Sequence, residues 1–235
     1  MSSRPPVQLE PGAREALRKV LELLADERAS VSSVTQPDQA WKVHVADSLS
    51  GLEVEDLRNA PQIADIGSGA GFPGLALAAA LPGSHVDLIE SVGRKCDFMR
   101  RALAKAAIAN ARVIEARSED LARSEGREAY DAVTARAVGR LSTLAELASP
   151  LLREGGVLVA WKGRRDPGEE AQMEDAAAEL AMLPLDVLHV GPFAGSRHRH
   201  LHVIRKAGPT PGNLPRRPGM AKKRPRGSVP TPPAE

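Results

Sequence analysis

Apolar positions recur at helical spacing near the start of the chain and change to short apolar runs from residue 62 onward. In "GAREALRKVLELLADER" (12–28), Leu17, Val20, Leu21 and Leu24 fall on one helical face. A second helix is predicted after Thr35, whose hydroxyl is placed to cap it together with Asp38, with Pro37 in the first turn. It would run through "DQAWKVHVADSLSGL". Both helices precede the first convincing strand, so residues 1–60 read as a helical cap. Strand-like runs follow at 62–66, 85–90, 111–116, 130–135, 156–161, 185–190 and 200–205, with helical stretches at 73–81, 94–109, 141–152 and 168–182. This alternation predicts an α/β fold over 61–206, with a mostly parallel seven-stranded sheet and helices on both faces. Only "GPFAGSRHR" separates the last two runs, which are expected to pair antiparallel at one edge.

Composition narrows the class. The 235 residues are 42% hydrophobic but only 3% aromatic, so the core must be aliphatic. No run approaches the ~18 apolar residues of a membrane span, and the opening "MSSRPPVQLEPG" lacks a secretory pattern. A cytoplasmic protein is expected. The lone cysteine, Cys96, excludes an internal disulfide and a cysteine-based zinc cluster; its spacing with Met99 and Leu103 makes it a core residue. From Lys206 onward seven residues are basic and one is acidic. That leaves 25 basic against 29 acidic in the body, about −4, with about +6 in the tail. Residues 207–235 are also proline-rich and read as a flexible basic tail, either a polyanion contact or a solvated end.

The candidate chemistry sits in "ADIGSGAGFPG" (64–74). Gly69, Gly71 and Gly74 satisfy G-x-G-x-x-G between a strand and a helix, and Glu90 ends the next strand about twenty residues later. Glycines there let backbone amides approach a ligand, and Glu90 can hold two ribose hydroxyls. NAD and S-adenosylmethionine both fit that much. Asp65 favours the second, because a carboxylate beside the loop repels a diphosphate and attracts an ammonium or sulfonium, directly or through water. Ser118 and Glu119 in "ARSEDL" stand where an adenine ring would lie. Arg136, after the fourth strand, faces the cleft and can meet a carboxylate, a phosphate or a guanine edge. The chain has neither an Asn/Asp-Pro-Pro-aromatic signature for adenine methylation nor a cysteine placed for covalent attack on cytosine.

The motifs "HVADS" (44–48), "DIGSGAGFPG", "ESVGRK" (90–95), "ARSED", "TARAV" (134–138), "AWKG" (160–163) and "RHL" (199–201) carry a family resemblance. In their order the chain resembles the bacterial small-subunit (16S) ribosomal RNA guanine-N(7) methyltransferases, also called glucose-inhibited division protein B. The basic tail, with "PRRPG" and "KKRP", resembles endings in that family; Ser30–Ser32 and Val43 depart from its pattern. The resemblance implies a Rossmann-like class I methyltransferase fold, S-adenosylmethionine as cofactor and 16S rRNA or the small-subunit particle as partner. It also implies that Gly67 and Phe72 flank the cofactor, that Ser118 and Glu119 hold its adenine, and that Arg136 closes the pocket. Guanine N7 already presents a lone pair, so no general base is nominated, and His44 is not assigned that role.

Other polar residues remain as RNA candidates. His44, Asp47 and Ser48 share a helical face and either shape the mouth of the site or form a local network. Lys162, Arg199 and His200 are expected on a polar rim, with Trp161 and Phe193 the only stackers available for a base. The basic face of 94–109 (Arg94, Lys95, Arg100, Arg101, Lys105) is either solvated or follows RNA backbone. His198, His200 and His202 alternate, but Arg197 and Arg199 intervene and no metal is expected. A monomer is expected. The rival readings are a small-molecule or protein methyltransferase, a non-catalytic nucleic-acid-binding protein with a retained cofactor fold, and an NAD-dependent oxidoreductase, which the missing Tyr-x-x-x-Lys opposes.

Overall fold

The computed structural model describes residues 9–27, 34 and 36–227. Helix α1 (Pro11–Ala25) begins with a proline in its first turn and buries Leu17, Val20, Leu21 and Leu24, each worth about 1.5–3 kcal/mol of burial. A nearly continuous helical path follows, through α2 (Pro37–Ala40), a π-helical stretch Trp41–Ala46, α3 (Asp47–Leu49) and a 3-10 turn Ser50–Glu53, then α4 (Glu55–Arg58). The cap predicted at Thr35 and the departure at Ser30–Ser32 lie outside the described residues.

Seven strands follow: β1 (Gln62–Ile66), β2 (His85–Glu90), β3 (Ala111–Glu115), β4 (Tyr130–Arg136), β5 (Leu152–Lys162), β6 (Met182–His189) and β7 (His200–Lys206). Their order in the sheet is β3-β2-β1-β4-β5-β7-β6. The first five pair in parallel and β7 pairs antiparallel with β5 and with β6, as the short last connection predicts. Strands β1 and β4 are buried almost throughout because helices cover both faces. The covering helices are α5 (Gly74–Ala80), α6 (Gly93–Ala106), α7 (Ser118–Leu121), α8 (Leu141–Ala148) and α9 (Pro167–Ala176). Successive strands are added on one side of β1 as far as β3 and on its other side from β4 onward, so the order of the sheet reverses between β1 and β4 and the ligand crevice is expected beyond their carboxyl ends.

Three expectations are refined. The described helices before β1 form the expected helical cap but share the core of the sheet domain: Leu17, Leu24, Val45 and Leu57 lie in one apolar cluster with Ile63, Leu75, Leu88 and Phe98. The basic face of α6 is largely neutralised by the protein's own acids, Arg100 by Asp97 and Glu115, Arg101 by Glu27 and Lys95 by Glu90. Nor is the tail a flexible extension as far as Gly227. Lys206 is buried, with its pKa pushed down to about 8 by desolvation, and donates to Ser149 and Thr210. Leu214 joins the core, and a short helix α10 (Met220–Lys223) packs on α8. Proline content argued against regular structure there, and the segment is indeed mostly irregular, but ion pairs fix it. Residues 228–235 lie outside the described part.

Candidate active site: two clefts beside one loop

The glycine turn is built from both ends. Gly67, Gly69 and Gly71 all have positive φ (64°, 61° and 89°), which L side chains adopt only with strain. Gly71 and Gly74 face the protein itself: a Cβ on Gly71 would sit 2.3 Å from Leu75, and one on Gly74 2.2 Å from Leu88. A Cβ on Gly69 would meet only the Gly67 carbonyl oxygen, at 3.8 Å. Thus only part of the turn is stripped of side chains for the sake of a ligand.

Asp65 corrects the sequence reading most sharply. Its side chain is 0% exposed and does not face the crevice. One carboxylate oxygen accepts from Thr134 Oγ1 (2.9 Å) and the other from the Gly74 amide (3.1 Å). Desolvation pushes its pKa up to about 6, against the lowering effect of those hydrogen bonds. It pins the start of α5 to β1 and β4, and any influence on a ligand is exerted through the loop.

The first cleft, of about 220 Å³, is lined by Gly67, Glu90, Ser118, Glu119, Val138 and the tail residues Gly219, Ala221 and Lys222, among others. Glu90 Oε1 accepts from the amides of Ser91 (2.8 Å) and Val92 (3.0 Å), and Oε2 accepts from Gly69 (3.1 Å). The carboxylate therefore ties β2 to the glycine turn while still lining the cleft. Ser118 Oγ donates to Glu119 Oε2 (3.2 Å), and the Gly219 amide donates to Glu119 Oε1 (2.8 Å). Phe72 does not line this cleft. It is buried and stacks on His44, with ring centroids 5.1 Å apart.

The second cleft, of about 460 Å³, has Val34, His44, Asp47, Arg136, Lys162 and Arg199 in its lining. Arg136 belongs here and not to the first cleft. Its Nη1 donates to Asp47 Oδ2 and the Val43 carbonyl (both 3.0 Å), so the unusual residue at 43 contributes a backbone group. His44 Nε2 donates to the Val34 carbonyl (3.1 Å), which leaves Nδ1 as the acceptor 3.4 Å from Arg136 Nη2. Burial first, and Arg136 in addition, lower the His44 pKa and keep the ring neutral. The π-helical stretch brings residues 43, 44, 47 and 48 onto one guanidinium; such stretches recur at functional sites.

Several rim candidates have structural partners. Lys162 Nζ donates to Glu169 (2.6 Å) and to the Gly139 carbonyl (3.0 Å), so it braces the loop after β4 and is not a free phosphate ligand. Glu169 Oε1 also accepts from the Leu141 amide (2.7 Å). Arg199 Nε lies 3.1 Å from Asp47 Oδ1, and the half-exposed side chain stands at the cleft. His200 is not part of the lining; its Nδ1 donates to the Gly163 carbonyl (2.7 Å). Trp161 is in the lining of the second cleft, but it is buried and fixed, donating from Nε1 to the Asp47 carbonyl (2.8 Å). His202 is buried near Glu170, whereas His198 precedes β7. Among the described residues no three metal-binding side chains converge.

Sequence reasoning missed Val138, Glu169 and the tail residues. Glu169 had a legible signal, since Asp166 caps α9 by accepting from Gly168 and Glu169 amides. The tail had none, because its role depends on ion pairs formed across the fold.

Strand order, the reversal between β1 and β4, and the glycine turn define a class I methyltransferase fold. A predicted O-methyltransferase from Agrobacterium tumefaciens superposes with a TM-score of 0.53 at 27% identity, covering 69% of this chain and 81% of that one. Aeropyrum pernix fibrillarin, solved with S-adenosyl-L-methionine, shares the fold alone, with a TM-score of 0.53 at 16% identity over 68% of this chain and 72% of that one. The model of the GidB family, rRNA small subunit methyltransferase G, matches residues 14–201. The ribosomal RNA small subunit methyltransferase G of Rubrobacter xylanophilus is 41% identical over 93% of this chain and 88% of its own length, and that of Pelotomaculum thermopropionicum 37% over 83% and 82%. The chain belongs to the GidB family.

Proposed function

We propose that this protein transfers a methyl group from S-adenosylmethionine to N7 of a guanine in 16S rRNA. The observation that carries this is the pair of adjoining clefts separated by residues 137–139. Val138 lines one cleft, and Ala137 and Gly139 line the other. The first fits the donor's nucleoside: the bare backbone of Gly67 forms one wall, and a Cβ there would lie 2.8 Å from Val138. Glu90, at the end of β2, is the ribose ligand, and Ser118 and Glu119 are the adenine ligands. A dinucleotide fits less well, because the Gly74 amide that opens α5, and that a diphosphate would need, is already bonded to Asp65.

The donor, when bound, supplies an electrophilic methyl group on a positively charged sulfur. The chain's task is then to position a nucleophile. Guanine N7 carries no proton, so none need be removed. The neutral His44, with Nδ1 turned to Arg136, fits a site without a general base. Arg136 and Asp47 set the shape of the second cleft, and Arg199 at its edge is the guanidinium placed for guanine O6 or phosphate. Rate enhancement would come from proximity and orientation.

Incubating the protein with labelled S-adenosylmethionine and 16S rRNA, then cleaving the RNA chemically at 7-methylguanosine, tests the reading. One labelled guanine is expected. Label at another base or atom, or none in either naked RNA or small subunits, refutes it.

A further inference from the structure

Residues 214–227 lie beyond the stretch 14–201 matched by the family model, yet they return to the first cleft. The segment is clamped on both sides. Arg216 pairs through its guanidinium with the buried Glu146 of α8, and its Nη2 donates to the Arg224 carbonyl (2.8 Å). Arg226 pairs with Glu179 and lies 3.7 Å from Glu146, while Gln172 Nε2 donates to its carbonyl (3.2 Å). Between the clamps, Gly219 and Ala221 span the cleft, and Thr143 Oγ1 donates to the Ala221 carbonyl (3.2 Å). Those clamps would hold the tail without any contact to the cleft. The Gly219 amide nevertheless donates to Glu119, from a backbone at φ 81°.

We infer that this segment is the outer wall of the donor site and that Gly219 is a positioning residue, acting through Glu119. The inference rests on the donor reading above. With Ser118 on one oxygen and Gly219 on the other, the Glu119 carboxylate is held in one orientation, and each oxygen keeps a second lone pair. An acceptor fixed in that way favours a base edge that carries an amino group, as adenine does. It disfavours a base with a carbonyl at the same position, as in hypoxanthine.

The full chain and its Gly219→Ala and Gly219→Asn variants test this. A Cβ at 219 meets nothing within 4 Å, so alanine introduces backbone strain without a clash. Asparagine tolerates positive φ better. Binding of S-adenosylhomocysteine and S-inosylhomocysteine is measured by calorimetry, and hydrogen exchange of 216–224 is followed with and without the first. Gly219→Ala should weaken S-adenosylhomocysteine binding about five- to tenfold and shrink the preference for the adenosyl compound, and Gly219→Asn should restore much of both. In rRNA methylation the donor KM should rise while the RNA KM and kcat at saturating donor stay unchanged. Exchange across 216–224 should slow on binding. Equal affinities and preferences in all three proteins, or exchange unaffected by ligand, overturn the inference and leave the donor reading standing. Failure of the unaltered chain to bind S-adenosylhomocysteine overturns both.

Discussion

Replacing Asp65 with asparagine removes a fully buried charge while keeping a side chain of the same shape. The wild-type carboxyl has a pKa of about 6 in the folded protein against 3.8 for the unperturbed group, chiefly because burial penalises the ion. Between those values the folded chain holds a proton that the unfolded chain has released. Stability from this group is therefore full below pH 4, falls as pH rises towards 6, and is flat above. A shift of about two units corresponds to about 3 kcal/mol. Asparagine does not titrate, so the Asp65→Asn protein should gain on the wild type by up to that amount between pH 4 and 7. The amide oxygen can still accept from Gly74, and the amide nitrogen can donate to a reoriented Thr134 hydroxyl. Urea unfolding of both proteins at half-unit steps from pH 4 to 8 measures the difference. All other groups titrate in both and cancel. Parallel stability curves would refute the assignment of a destabilising buried charge. The same pair tests the charge's reach: if it is felt in the crevice, S-adenosylmethionine affinity should rise through pH 6 in the wild type only.

Three further substitutions address separate parts of the site. Glu90→Ala removes the acceptor of three loop amides and the proposed ribose ligand; S-adenosylhomocysteine affinity should fall by about tenfold or more, and an unchanged calorimetric Kd in the folded variant would contradict the assignment. Arg136→Lys keeps the charge but loses the fork over Val43, Asp47 and His44; rRNA methylation should drop at least about tenfold with donor affinity within about twofold, whereas a matching donor defect would place Arg136 in the first cleft. Gly74→Ala drives a Cβ to 2.2 Å from Leu88 and 2.9 Å from an Asp65 oxygen; overpacking should cost about 1–3 kcal/mol, read as a lower urea midpoint, and no loss would mean that the turn relaxes freely.

The elements were largely legible because their signals are local. Apolar runs bounded by turns located all seven strands, and β1 and β2 match their predicted bounds residue for residue. The strand-end acid Glu90 and the pair Ser118–Glu119 could be placed at one cleft from the strand–loop–helix pattern alone. What stayed hidden depends on register and distant pairing. Asp65 stands opposite Thr134 only because β1 lies beside β4, so its burial could not be read from the loop sequence. Lys162 looked like a free cation until α9 placed Glu169 against it. The tail read as either a polyanion contact or a solvated end because Glu146 and Glu179, which bind its arginines, sit in helices with no sequence proximity.

The loop after β4 joins these observations. Arg136 at its start is gripped by the N-terminal helices, and Ala137 is held at φ 58°, a conformation that costs a non-glycine residue about 1–2 kcal/mol. Such a residue persists only where its neighbours over-determine it. Here Arg136 fixes one side, and Lys162 fixes the other by donating to the Gly139 carbonyl. Between them Val138 reaches the wall of the first cleft against Gly67. A movement of the Asp47–Arg136 pair on entry of an RNA base would therefore be transmitted through two residues to the donor side. A flexible glycine at 137 would absorb it. Ala137→Gly, which relieves that strain, should therefore lessen the effect of bound rRNA on S-adenosylhomocysteine affinity, and an effect of the same size in that variant would refute coupling of the clefts through this residue.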